Sequence, residues 1–361
     1  MKRPYYIFSA GRIRRQQNTL FFEKAEVEAG EPPLDAPEEE ILVDADIEVQ
    51  TDDHDRVVKR VIPIEDVDQL YCFGEITLNS KLINFLAQHQ IITHFFNYYG
   101  FYSSSLVPRE YLISGKVIVD QVRHYLDPVC RQVLATAFID AAAEHILLNL
   151  RYYLNRGKDV NAQIEQIEKE RDQLSLAQKI SEVMAMEARM RSIYYSAWDT
   201  IIDIEDFAFD KRSRRPPQNA LNALISFGNS LLYTVVLSEL YHTQINPAVS
   251  FLHEPGFRRF SLSLDIAEIF KPFIIDRLIF KLLNQKSIQS KHFEKRLNFC
   301  YLNESGRKIV VQAFDDRLKT TIKHRSLGRN VSYRRLIRLE GYKLIKHITG
   351  IKAYKPFKMW W

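Results

Sequence analysis

An imidazole and two carboxylates with the makings of a metal site fall close together in the C-terminal half of this chain: His253, Asp265 and Glu268. His253 ends an apolar run and precedes a Glu254-Pro255-Gly256 turn and the basic pair Arg258 and Arg259. Asp265 and Glu268 are three residues apart, so on a helix they share a face, with Cβ atoms roughly 5–6 Å apart. One nitrogen and two oxygen donors form the mixed set that suits a divalent ion. A buried, hydrogen-bonded histidine beside a solvated helix face accounts for the same residues equally well.

Glu187 is the other unusual carboxylate, set among Met184, Ala185, Met186, Ala188 and Met190. Burying it unpaired is costly, so it has to meet Arg191 at i+4, a metal, or solvent. Tyr194 lies seven residues on, along the same face.

The elements that must position these groups are helical. Gln173 to Tyr195 carries an apolar stripe at helical spacing, as does Leu134 to Leu154, and a long helix capped by Asn219 or Asn222 runs up to Asn246-Pro247. Gly228 weakens that helix, which implies close approach of another backbone. Pro272, four residues after Glu268, forces a kink or restart. Beyond it, Asp276 and Arg277 are candidates for an internal ion pair or a nucleic-acid contact. The polar 160–175 stretch is read as a surface connection between helices.

The first hundred residues have a different texture. Tyr5–Phe8, Thr19–Phe22, Ile41–Val49, Val57–Ile62, Leu70–Phe73, Glu75–Leu78 and Ile91–Tyr99 read as strands, with one helix opened by Asn79-Ser80. The change at 102–108 divides the chain into a β-rich domain, 1–104, and a larger helical domain, 105–361. The fold class expected is α+β, with a sandwich-like N-terminal domain followed by an all-α one.

With 361 residues, 46% apolar and 26% charged, the chain can bury a substantial core. No uncharged apolar run reads as a bilayer span, so a cytoplasmic location without a membrane partner is expected. Cys72, Cys130 and Cys300 are scattered, indicating neither a disulfide framework nor a zinc site. The net charge of +5 is unevenly spread: 11 acidic residues and no Lys or Arg between Glu31 and Asp55, against 15 Lys or Arg and three acidic residues from Ser305 onward. That basic segment, interleaved with Tyr333, Tyr342, Tyr354, Phe357, Trp360 and Trp361, reads as a tail for nucleic acid or as a solvated helical face. Lys211, Arg212, Arg214 and Arg215 form a second basic cluster, able to hold phosphates.

Taken in order, these motifs resemble the CRISPR-associated Cas1 family. The matching segments are Gly11 to Leu20, Ile62 to Gly74, Phe95 to Gly100, Glu187, Asn219 to Asn222, Phe251-Leu252-His253 and Asp265-Ile266-Ala267-Glu268. Two positions depart from the family pattern: Ser250 stands where many members have Gly, and Ala188 follows Glu187 where Gly is usual. The resemblance implies Mg²⁺ or Mn²⁺ held by Glu187, His253 and Glu268, with Asp265 as a supporting carboxylate. It implies an endonuclease/integrase that inserts protospacer DNA into a CRISPR array by 3′-OH transesterification. It also implies a homodimer, double-stranded and branched DNA as substrates, and a small Cas2 protein bridging two dimers. Arg212, Arg214, Arg215, Arg258 and Arg259 are the expected contacts to DNA backbones. A stand-alone DNA-repair nuclease and a non-catalytic DNA-binding protein are the competing readings.

Overall fold

The computed structural model describes residues 2–24, 59–110, 112–209, 211–214, 216–256, 260–296 and 299–359. The expected strand at 41–49, the acidic stretch at 31–55, Arg215, Arg258, Arg259, Trp360 and Trp361 lie outside the described residues. The chain divides into two compact units, Met1–Glu110 and Tyr111–Trp361.

In the first unit, strands β1 (Arg3–Ile7), β2 (Gly11–Gln16), β3 (Thr19–Lys24), β4 (Lys59–Pro63), β5 (Val67–Cys72) and β6 (Ile76–Thr77) precede helix α1 (Ser80–Gln88) and strands β7 (Ile92–Phe96) and β8 (Tyr102–Leu106). They form two four-stranded sheets, ordered β1-β5-β7-β8 and β4-β3-β2-β6. Period-two alternation explains the burial: Ile13 on β2 and Leu20 and Phe22 on β3 point into the core, while Arg12 and Arg14 stay exposed. One cluster gathers Tyr5 and Ile7, Ile13, Leu20, Leu70 and, from α1, Leu82 and Phe85, so both sheets and the helix share a core. Gly11 is required in the β2–β3 hairpin, because a Cβ there would lie 2.3 Å from the Glu23 carbonyl. The 102–108 segment, the expected boundary between the two parts, supplies edge strand β8, antiparallel to β7, and the first unit runs on to Glu110.

The second unit is built on helices α2 (Gly115–Leu126), α3 (Pro128–Leu154), α4 (Asn161–Asp172), α5 (Ile180–Ser196), α6 (Trp198–Ile202), α7 (Ala220–Tyr241) and α8 (Ser261–Phe270). A π-helical turn, Lys271–Asp276, joins α8 to α9 (Arg277–Asn284). The ribbon β9 (Phe293–Arg296) and β10 (Phe299–Leu302), helix α10 (Glu304–Lys319), the ribbon β11 (Thr321–Lys323) and β12 (Asn330–Ser332), and helix α11 (Tyr333–Ile348) complete it. The unit is therefore helical with two small ribbons rather than all-α. The polar 160–175 stretch is itself helical in α4, which buries only Ile164 and Ile167.

Helices α3 and α7 are each long and apolar enough to cross a membrane by length and composition. In α7, however, 83% of the most apolar window is buried within the protein, and in α3 67%, as expected of core helices. Asn219 caps α7 through its side chain. Gly228 does mark a close approach, but of the Ile275 side chain rather than a backbone, whose Cγ2 would lie 2.7 Å from an added Cβ. Gly228→Ala should therefore lower stability by about 1–3 kcal/mol through overpacking, read by urea denaturation.

Pro272 ends the α register of α8. Lys271 still donates to the Ala267 carbonyl, Pro272 has no N–H, and the helix widens into the π-turn instead of breaking. The Pro272 carbonyl accepts from Asn149 Nδ2 of α3 at 2.8 Å.

The basic C-terminal segment is not a free tail. Tyr333, Tyr354 and Phe357 are buried, and Phe357 stacks on Phe270 at 5.8 Å, so these aromatics fill a core instead of presenting a nucleic-acid surface. Its end is pinned by His145: Nδ1 donates to the Ile269 carbonyl at 2.8 Å and Nε2 accepts from the Met359 N–H at 3.1 Å. Burial, only partly opposed by the Ile269 hydrogen bond, lowers the His145 pKa from 6.5 to about 4. A folded pKa below the unfolded one means that this stabilisation is complete above pH 6.5 and is lost as pH falls toward 4, about 3 kcal/mol in all. The protection of the Met359 amide against exchange, taken relative to its intrinsic rate at each pH, should therefore fall between pH 6.5 and 4, and a constant protection factor would contradict the assignment.

Candidate metal centre

Glu187 on α5, Glu268 on α8 and Asp276 on the π-turn meet at one guanidinium. Arg191, one helical turn after Glu187, lies 3.4 Å from Glu187 Oε1, 3.0 Å from Glu268 Oε2 and 3.4 Å from Asp276 Oδ2. Its side chain is only 10% exposed, so its charge is compensated almost wholly by these carboxylates. Lys271, three residues after Glu268, holds the other Glu268 oxygen.

Burial pushes the Glu268 carboxyl up, but Lys271 and Arg191, with His253 behind them, outweigh it and hold the pKa at about 2. Glu268 is thus an ionised carboxylate in a dry setting. Glu187 is shifted the opposite way, raised first by burial and then by the charge of Glu268. Asp276 is raised to about 7 by burial, against Arg191 and Lys271. Asp276 pairs with Arg191 rather than with its neighbour Arg277, which corrects the expected pairing.

His253 belongs to a tight loop that Asp265 organises. Asp265 is fully buried; its Oδ2 accepts from the N–H groups of Phe251 at 2.7 Å and Leu252 at 2.9 Å. Its Oδ1 accepts from the His253 N–H at 3.0 Å and from His253 Nδ1 at 2.8 Å. Ser250, at the position where Gly is common, donates its hydroxyl to the His253 carbonyl at 2.6 Å, and Arg131 Nε donates to the Phe251 carbonyl at 2.8 Å. Burial disfavours the imidazolium, yet the Asp265 hydrogen bond and charge, reinforced by Glu268, raise the His253 pKa overall. With Nδ1 committed, Nε2 is the ring nitrogen without a hydrogen-bond partner among the described residues.

Among the described residues, no three His, Cys, Asp or Glu side chains stand close enough to form a ready-made metal cage. The donors nevertheless fit a divalent ion chemically. Glu268 is ionised, His253 has one nitrogen fixed by a carboxylate and one free, and Glu187 shares the electrostatic field of Glu268. Asp265 is saturated by four hydrogen bonds, an arrangement that positions a ligand rather than supplying one.

The expected DNA contacts divide. Arg212 turns inward, with Nη1 on Asn222 Oδ1 at 2.8 Å and Nη2 on Ser226 Oγ at 3.0 Å, so it braces the start of α7 and its donors are not free for phosphate. Arg214 is exposed, and its charge reaches Glu187. Tyr194, expected on the Glu187 face, is buried and accepts from Asn149 at 3.0 Å. Lys271 was missed by sequence reasoning, although its i+3 spacing from Glu268 is a recognisable helical ion pair.

A family model described as CRISPR associated protein Cas1 matches residues 5–316. The chain is 50% identical over 359 residues to the CRISPR-associated endonuclease Cas1 3 of Thermodesulfovibrio yellowstonii, covering 99% of this chain and 100% of that one. It superposes on TM1797, a Cas1 protein from Thermotoga maritima, with a TM-score of 0.82 at 34% identity, covering 99% of this chain and 100% of that one. A casposase bound to an integration product has the same fold, with a TM-score of 0.81 at 18% identity, covering 99% of this chain and 93% of that one. Matched by the family model over most of its length and by a relative half identical from end to end, the chain belongs to the CRISPR-associated Cas1 family.

Proposed function

We propose that this protein is a divalent-metal-dependent DNA endonuclease and integrase that inserts protospacer DNA into a CRISPR array by attack of a 3′-OH on a phosphodiester. The observation that carries the reading is the pairing of His253, oriented through Nδ1 by Asp265, with the ionised, buried Glu268. The relative half identical to this chain is named an endonuclease, and the casposase that shares its fold was solved with an integration product.

Glu187, His253 and Glu268 are the residues that would hold Mg²⁺ or Mn²⁺, and the imidazole favours Mn²⁺. The ion would supply Lewis acidity at the attacked phosphate and charge for the in-line displacement. Asp265 fixes the ring orientation and leaves Nε2 for the ion. Arg191 and Lys271 keep Glu268 ionised and would share it with the metal. Arg214, exposed at the edge of the cluster, would take a DNA phosphate, as would Arg215, Arg258 and Arg259. The protein would act in the cytoplasm as a homodimer on double-stranded and branched DNA, with a small Cas2 protein bridging two dimers.

The test is to incubate the full chain with Mn²⁺, a short duplex bearing free 3′-OH ends and a supercoiled plasmid carrying a CRISPR array. Duplex joined to plasmid is the expected product. Cleavage without joining would replace this reading with a repair nuclease, and metal-insensitive DNA binding with a DNA-organising protein. DNA affinity should also fall steeply between about 50 and 200 mM salt, because binding to phosphates releases the counterions condensed on DNA.

A further inference from the structure

A cleft behind the π-turn holds an arginine that has no partner of opposite charge among the described residues. Arg277, the residue after Asp276, lines a cavity of about 260 Å³ bounded by the C-terminal part of α3, the π-turn and the C-terminal segment. It makes no hydrogen bond or ion pair among the described residues, and its guanidinium lies only against the Tyr152 ring, 5.4 Å from the centroid. Among the described residues, no Asp or Glu lines the cavity.

The other polar walls are already satisfied. His145 uses both ring nitrogens, on Ile269 and Met359, and Asn149 donates both amide hydrogens, to Tyr194 and Pro272. The unmet demand is therefore for an anion rather than for a neutral hydrogen-bonding ligand. A second guanidinium packs on one of the cavity's walls. Arg317 lies 5.3 Å from the ring centroid of Phe273, a wall of the cavity, donates to the Phe273 carbonyl, and keeps a buried Nε without a partner. Burial, opposed by Tyr333 and aided by the charge of Arg277, holds Arg317 down at about 10. At the mouth, Arg151 is paired with Glu168, while Tyr152 and Asn155 are exposed.

We propose that this cleft is a binding site for the phosphate group of a nucleotide, anchored by Arg277 and separate from the Glu187, His253 and Glu268 cluster. A planar guanidinium offers the paired donors that phosphate oxygens accept. The cavity has room for a phosphate and its sugar, and Phe273, Leu148 and Met359 supply apolar contact. The phosphate can come from a free nucleotide or from one unit of a nucleic-acid strand, and the chemistry of recognition is the same.

Calorimetric titration of the full chain at low ionic strength tests the site, with dAMP, inorganic phosphate, deoxyadenosine and a short single-stranded oligothymidylate as probes. Saturable dAMP binding is expected, weaker for phosphate and absent for deoxyadenosine. Arg277→Ala should weaken dAMP about 10- to 100-fold, the range for losing charge-assisted hydrogen bonds. Because Arg277 makes no hydrogen bond, the variant should keep the wild-type circular dichroism and melting temperature. Asn155→Asp, at an exposed position, places a negative charge at the mouth and should weaken binding independently. Arg277-dependent binding of the oligonucleotide alone would assign the phosphate to a strand. Deoxyadenosine binding as well as dAMP, no saturable binding by any phosphate-bearing probe, or wild-type affinities in both variants would overturn the proposal.

Discussion

Glu268→Gln should reduce strand joining and metal-dependent cleavage to background. The loss should exceed the roughly 10–100-fold expected of Asp265→Asn, which weakens the hold on the 251–253 loop and on the His253 ring without removing a proposed ligand. The substitution preserves shape and burial but removes the one carboxylate that Arg191 and Lys271 jointly keep ionised at about pKa 2. Without that charge, the cluster lacks its strongest anionic donor. The two variants should differ in kind as well as size: raising Mn²⁺ should partly restore Asp265→Asn and leave Glu268→Gln inactive. A Glu268→Gln protein that joins DNA at the wild-type rate would remove Glu268 from the proposed ligand set.

Arg191→Met carries the second large effect, on stability. It leaves Glu187, Glu268 and Asp276 without the cation they share, and breaking a buried charge network of this kind costs about 3–5 kcal/mol. The deficit should depend on pH in a definite sense. Asp276 already has a folded pKa of about 7, above its ordinary 3.8, so its contribution is favourable when protonated and is lost as pH rises through 7. Removing Arg191 pushes all three carboxylates further in that direction, so the loss in melting temperature should be larger at pH 8 than at pH 5.5. Mn²⁺ should raise the melting temperature of the variant more than that of the wild type, because the ion supplies the missing positive charge. Equal shifts would argue that the ion binds elsewhere.

Much of this was legible in the sequence because the informative signals are local. The α+β class, the Asn219 cap and the i+4 relation of Arg191 to Glu187 follow from periodicity and capping. The role of Asp265 was legible only through family resemblance: its three backbone partners, at residues 251–253, depend on a loop closure that no spacing rule describes. The inward turn of Arg212 and the burial of Tyr354 and Phe357 were hidden for a related reason. Charge and aromatic content reveal that a segment can bind a polyanion, whereas tertiary packing decides whether its side chains face the core. Pro272 announced a break, but the wide turn that accommodates it depends on the Asn149 and Arg191 partners from other helices.

That wide turn makes segment length a constraint of its own. A π-turn holds about one residue more than an α-turn, so removing one residue between Lys271 and Asp276 would restore ordinary helical winding and leave the helix beyond it in nearly its present orientation. Leu278, Ile279 and Leu282 would keep facing the core, and the disturbance would fall on the turn's own contacts, Ile275 against Gly228 and Asp276 against Arg191. A second residue lost from the same six positions has no such slack to draw on: it would turn α9 by about 100° and take its apolar face out of the core, so two deletions should be far more damaging than one.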